Sequence, residues 1–131
     1  MNKKVSTFYM ITGLLILLTV QLQAQSSQLL SVSEFEKKLS ATKDKIVLDV
    51  RTQGEYASGH LTNAMMIDYY KSDFKQQLTK LDKSTPVFVY CAAGGRSGSA
   101  TEILTGMGFK QVFDLEGGMK AWTKAQKPIV K

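Results

Sequence analysis

The sequence predicts an α/β domain in three layers, with a central, mostly parallel β-sheet flanked by helices. Three observations predict it. Strand and helix signals alternate along the chain, one strand signal is apolar on both faces, and the length suits a single core. The alternation matters because parallel neighbours need a crossover between them, and that crossover is normally a helix.

The first 24 of the 131 residues stand apart from this pattern. A basic start with Lys3 and Lys4 leads into an apolar run from Phe8 to Val20, too short to span a bilayer comfortably, and Ala24 offers a small residue for cleavage. Residues 1–24 therefore read as a secretory signal peptide, which predicts export, to the periplasm in a bacterium, and no stable membrane association after cleavage. An uncleaved membrane anchor is the alternative, favoured by the bulky Leu22. No cysteine follows the run, which argues against a lipoprotein anchor. Taking 24 residues from 131 leaves 107, so residues 25–131 form a single domain.

Within that domain, Ser33-Glu34-Phe35-Glu36 has the form of a capping box opening a helix to about Leu39. Ile46 to Val50 is a short β-branched strand. Thr52 to Ala57 makes a brief helical turn ended by Ser58-Gly59, and Ala64 to Ile67 a second strand. Ser72 to Leu81 carries Phe74, Leu78 and Leu81 at helical spacing. Pro86 precedes Val87-Phe88-Val89-Tyr90, the strand apolar on both faces. Ser97 to Met107 is a helix stopped at Gly108, Gln111 to Leu115 a last strand, and Met119 to Lys124 a last helix.

Charge and cysteine usage narrow the function classes. Seventeen bases face 11 acids, and loss of Lys3 and Lys4 lowers the net charge from +6 to +4. The remaining lysines are scattered among acids with no block to track phosphates, which argues against a nucleic-acid partner and for a solvated basic surface. An exported chain meets an oxidant where cysteines pair, yet Cys91 stands alone and cannot form an internal disulfide. It is either a buried bystander or a working thiol.

Its surroundings favour work. A buried strand ends at Cys91, the small residues Ala92, Ala93, Gly94 and Gly95 follow, and after Arg96 a helix begins near Ser97. Ligands bind at such carboxyl ends of parallel strands. Loop amides, the positive end of the helix dipole and the Arg96 cation all favour a thiolate. Small residues let the backbone curl round the sulfur, so that a group bonded to it is held by several N–H donors at once.

The chain here resembles the rhodanese family. Leu48-Asp49-Val50-Arg51 through Glu55-Tyr56, Gly59-His60 and Ala64 is similar to that family's first signature. Cys91 to Arg96 is similar to its six-residue active-site loop, and Gly117-Gly118 with Ala121-Trp122 to its closing element. Asn63 departs from the family's usual glycine, a matter of turn geometry. The resemblance implies a sulfurtransferase in which Cys91 takes a sulfane sulfur from a donor such as thiosulfate, becomes a persulfide, and passes the sulfur to a thiol or other nucleophile, on a small molecule or a protein. A rhodanese-like binding or sulfur- and redox-sensing module without turnover is the alternative. Ala92 to Gly95 would hold the bound sulfur and Arg96 an anionic donor, while Asp49, Arg51 and Ser97 would support the loop. Four residues lie between Cys91 and Arg96, one fewer than in the related phosphatase-type loops, and the tighter ring suits sulfur better than a tetrahedral oxyanion.

No cofactor is implied. His60 has no partner cysteine or second histidine, so no metal site is expected, and it reads as a satisfied turn residue. Trp122 reads as a core plug for the last helix, and Met65 and Met66 as packing.

Overall fold

The computed structural model describes residues 26–131, so the expected signal peptide at 1–24 lies outside the described residues. Five strands and five helices follow one another: β1 Ser26–Leu30, α1 Val32–Ala41, β2 Ile46–Asp49, α2 Gln53–Ser58, β3 Met65–Met66, α3 Phe74–Leu78, β4 Val87–Tyr90, α4 Gly95–Gly106, β5 Gln111–Leu115 and α5 Gly118–Lys124. The strands form one sheet in the order β1-β5-β4-β2-β3, and every pair is parallel.

Strand β4 lies at the centre, with Ile46 and Val112 in register with Val87 on either side. Its four side chains are all buried because both faces are covered. Val87 and Val89 pack with Leu48, Val112 and the helical residues Phe74, Leu78, Ala100 and Leu104. Phe88 and Tyr90 point the other way, among Phe35, Phe113, Leu115 and Trp122. Phe35 of α1 meets the edges of Phe88 at 5.4 Å and Trp122 at 6.2 Å, contacts worth about 0.5–1.5 kcal/mol each beyond burial. Trp122 Nε1 donates to the Pro128 carbonyl, which satisfies its polar edge.

Several boundaries differ from expectation, each for a local reason. The capping box of α1 is Ser31 with Glu34, not Ser33 with Glu36, so the helix starts earlier; both sequences have the S-x-x-E form, and Phe35 is buried in this frame. Helix α4 begins at Gly95 rather than near Ser97, because Gly94 at φ +110° turns the chain into the helix directly. Strand β1 has no counterpart in the sequence reading. It pairs only with β5, at the sheet edge, and Leu30 alone is buried, so it shows no apolar alternation; Leu29 is 62% exposed. Asn63 takes φ +62°, a left-handed conformation that asparagine accepts more readily than most residues.

Candidate active site

The site is built where β4 stops. Cys91 is 1% exposed, on the face that α4 covers, and its Sγ accepts the Gly94 N–H at 3.0 Å. Burial works against a thiolate, but the Ser97 hydroxyl and the N–H groups of Ser97, Gly94 and Ala93 more than offset it, and the thiol pKa falls below its ordinary value. Gly94 makes the ring close. Its N–H faces the sulfur, and its φ of +110° turns the chain that follows into α4 with the positive end of that helix toward Sγ.

The loop is held from behind by the closing element. Met119 N–H donates to the Cys91 carbonyl at 2.8 Å and Lys120 N–H to the Ala92 carbonyl at 3.0 Å, so the first turn of α5 is spent on the loop. This approach needs Gly118. At φ +56°, a Cβ there would strike the Cys91 carbonyl oxygen and stand 2.8 Å from both the carbon and the oxygen of the Ala92 carbonyl.

Arg96 is paired with a carboxylate that the sequence reading did not name. Its Nη1 donates to Glu55 Oε1 at 2.7 Å and its Nη2 to Glu55 Oε2 at 2.9 Å, while the guanidinium lies 5.3 Å from the Tyr70 ring centre. The paired hydrogen bonds from Arg96 hold the Glu55 carboxyl down at about 2 against a weaker upward push from burial, and they raise Arg96. Thr52 adds its N–H and hydroxyl to Glu55 Oε1, so one carboxylate caps α2 and anchors the loop arginine. The sequence signal was present as Thr52-x-x-Glu55, a second capping box, but nothing in it named Arg96 as a partner.

Asp49 and Arg51 support the strand ends rather than the loop itself. Asp49 accepts from Arg51 Nε at 3.0 Å and Nη2 at 2.7 Å, and from the Tyr90 hydroxyl at 2.7 Å. Tyr90 in turn accepts the Leu61 N–H at 3.1 Å, and Arg51 Nη2 also reaches the Gly59 carbonyl at 2.7 Å. Burial would lower the Arg51 pKa, yet Asp49 raises it overall; burial, then Asp49, pushes the Tyr90 hydroxyl far up. This buried cluster fixes the residue before Cys91 on the opposite face of the sheet from the thiol. His60 stacks on Tyr56 with ring centres 3.8 Å apart, its Nδ1 2.9 Å from the Tyr56 carbonyl oxygen.

Above Cys91 opens a cleft of about 370 Å³, walled by Tyr69, Tyr70, Ala92, Arg96 and Ser99. Neither tyrosine nor Ser99 was singled out by the sequence. A larger hollow of about 540 Å³ between β1 and α1 bears Glu34, Lys37 and Lys38 but no nucleophile, so chemistry rather than size selects the site.

A strand-end cysteine that accepts a loop amide, with α5 locked behind it, is the arrangement that the family comparison explains. The model of the Rhodanese-like domain matches residues 31–125. The chain belongs to the rhodanese-like domain family. Among its relatives, the thiosulfate sulfurtransferase GlpE of Coxiella burnetii is 37% identical over 91 residues, covering 70% of this chain and 82% of that protein. A sulfurtransferase of Allochromatium vinosum is 31% identical over 94 residues, covering 72% and 86%. The crystal structure of a rhodanese-related protein from Thermoplasma volcanium superposes with a TM-score of 0.70 at 28% identity, covering 79% of this chain and 97% of that one. The all-parallel sheet and its flanking helices are thus the rhodanese-like α/β fold, and the two relatives just given bear sulfurtransferase names.

Proposed function

We propose that the protein is a rhodanese-type sulfurtransferase that carries a sulfane sulfur on Cys91. The carrying observation is the Gly94 N–H that donates to the buried Sγ at the N-terminus of α4, where the thiol pKa falls below its ordinary value and so favours the attacking thiolate. With thiosulfate as donor, the Cys91 thiolate attacks the outer sulfur; the new S–S bond forms as the old one breaks, and sulfite leaves with the electron pair. The negative charge then rests on the terminal persulfide sulfur, within reach of the loop amides from Ala92 to Arg96. An acceptor thiolate attacks that sulfur, takes it away as its own persulfide, and returns Cys91 as thiolate. No cofactor takes part.

Arg96 shapes the loop through Glu55 in this scheme, and the amides with the helix dipole carry most of the anion recognition. Export remains part of the proposal, resting on residues 1–24, and a lone reactive thiol outside the cytoplasm needs a partner thiol to reverse mixed disulfides. Intact-mass measurement after thiosulfate treatment tests the reading. Wild type should gain one sulfur atom and lose it to an added thiol, while Cys91→Ser should gain none. A wild-type mass unchanged by thiosulfate and by other sulfane donors would leave a binding module instead.

A further inference from the structure

The cleft above Cys91 does not end at Tyr70. Tyr69 and Tyr70 also wall a second hollow of about 540 Å³, which Lys71, Phe74, Lys75 and Ile103 complete. Arg96 and Ser99 line the first cleft and Ile103 the second, and their spacing of three and four residues puts all three on one face of α4. That face runs about 10 Å from Arg96 to Ile103. The two hollows therefore form one groove, with the thiol at one end and two lysines at the other.

Its tyrosine wall is fixed by the backbone. Tyr69 N–H donates to the Val50 carbonyl at 3.1 Å, Tyr70 N–H to Asp68 Oδ1 at 2.9 Å and Lys71 N–H to the Asp68 carbonyl at 3.1 Å. The Tyr69 ring meets the buried Phe74 at 5.3 Å between ring centres. Tyr70 is 68% exposed, yet it stands against the Arg96 guanidinium. An aromatic ring held mostly in water beside a reactive thiol offers an apolar platform to whatever approaches that thiol.

The charges on the groove have one sign. Arg96, Lys71 and Lys75 line it, and no acid does. Arg96 is spent on Glu55, whereas Lys71 and Lys75 are exposed and make no ion pair among the described residues. Asp68 is buried and turned to the backbone, and Asp73, which lies between the lysines in sequence, does not line the hollow. The hollow between β1 and α1 differs, because it sets Glu34 beside Lys37 and Lys38.

Thiosulfate is too small to need such a groove. An acceptor is not, since its thiolate must reach the terminal sulfur of the Cys91 persulfide from the open side of the cleft, leaving its body in the groove. As the acceptor S–S bond forms, the bond from Cys91 Sγ to that sulfur breaks and its electron pair returns to Sγ.

We propose that this groove is the acceptor subsite and that it takes a small thiol peptide bearing carboxylates, its body along Tyr70 and the α4 face and its carboxylates at Lys71 and Lys75. The volume is that of a small-molecule site rather than of a protein interface. The turnover part rests on the sulfurtransferase reading, while the ligand class is tested without it.

Two probes of equal length, N-acetyl-Cys-Glu-Glu-amide and N-acetyl-Cys-Gln-Gln-amide, each extend about 10 Å. The rate at which each discharges the Cys91 persulfide of the full chain, taken per thiolate, should favour the Glu peptide about fivefold at low salt, the effect of two exposed ion pairs. The preference should vanish near about 1 M salt. Lys71→Gln with Lys75→Gln should bring the ratio to about one. Lys37→Gln with Lys38→Gln removes the same charge away from the groove and should keep the preference. A wild-type ratio of one overturns the proposal, as does equal loss in both double variants, which would make the effect one of net charge. Should no persulfide form, protection of Cys91 from iodoacetamide alkylation at neutral pH by the serine counterparts of the two peptides decides the ligand class. Stronger protection by the Glu peptide, lost in the Lys71 and Lys75 variant, supports it, and equal protection overturns it. Selective protection beside a thiosulfate-inert Cys91 would sink the sulfurtransferase reading and leave the anionic groove standing; persulfide discharge without charge preference would do the reverse.

Discussion

Glu55 on α2 and Arg96 on α4, 41 residues apart, face each other through two parallel hydrogen bonds of 2.7 and 2.9 Å. The pair ties the end of the cysteine loop to the segment that follows β2, so the upstream motif and the loop form one unit. A planar guanidinium fork makes this geometry; a lysine would offer a point charge in its place.

Glu55→Gln should destabilise the protein in a pH-dependent way. The Arg96 hydrogen bonds hold the folded pKa of Glu55 at about 2, below its ordinary 4.5. A depressed carboxylate pKa gives stability that is fully present above the unfolded value and is lost as pH falls toward the folded one. Urea unfolding of wild type and variant should therefore differ at neutral pH and converge between pH 4.5 and about 2. A gap that stays constant over that window would assign the loss to packing rather than to the ion pair.

Gly118→Ala should disable the loop. The new Cβ meets backbone atoms of Cys91 and Ala92, which cannot retreat without breaking the hydrogen bonds from Met119 and Lys120, and φ +56° adds strain of about 1–2 kcal/mol for any L side chain. Sulfur loading of Cys91 from thiosulfate should drop at least about tenfold, with about 2–4 kcal/mol lost from stability. A well-folded variant with wild-type loading would mean that the α5 contact does not shape the loop.

What the sequence made legible follows from where the information lies. Val87–Tyr90 reads as a buried strand because its covering on both faces is written as an unbroken apolar run, and the cysteine loop reads as an anion nest because small residues separate Cys91 from Arg96. Strand β1 was invisible because backbone pairing with β5 holds it, and its outward side chains carry no pattern. The Glu55 partner of Arg96 was not legible because it lies on another helix, and capping motifs report local partners only. The role of Gly118 lay equally out of reach, since it consists in the absence of a Cβ against another segment's carbonyls.

Tyr90→Phe should separate support of the fold from support of the thiol. The hydroxyl donates to Asp49 Oδ2 at 2.7 Å and accepts from Leu61 N–H at 3.1 Å, all of it buried. Its removal leaves that N–H unpaired and takes a donor from a carboxylate, a cost of about 2–3 kcal/mol. The urea midpoint should fall at unchanged slope. Because Tyr90 points to the face opposite Cys91, the folded variant should keep the wild-type alkylation rate. A slowed rate would show that the Asp49 cluster reaches the thiol.

Gly94 and Gly95 are adjacent, both small and both in the loop, yet they should respond oppositely to alanine. Gly94 has φ +110°, where an L side chain is strained whatever the space, and its N–H is the one aimed at Sγ at 3.0 Å. Gly94→Ala should therefore cost about 1–2 kcal/mol. Relaxing that strain would rotate the N–H away from sulfur, so the thiol pKa should rise and alkylation at neutral pH should slow. Gly95 sits in the first turn of α4 with ordinary φ, and a Cβ there meets nothing within 4 Å. Gly95→Ala should leave the thiol pKa unchanged and hold or raise stability by up to about 1 kcal/mol, since alanine restricts the unfolded chain. Thiolate absorbance against pH, with urea unfolding alongside, compares the two. Equal shifts in both variants would mean that the sulfur senses the bulk of the loop rather than the one amide that Gly94 turns inward.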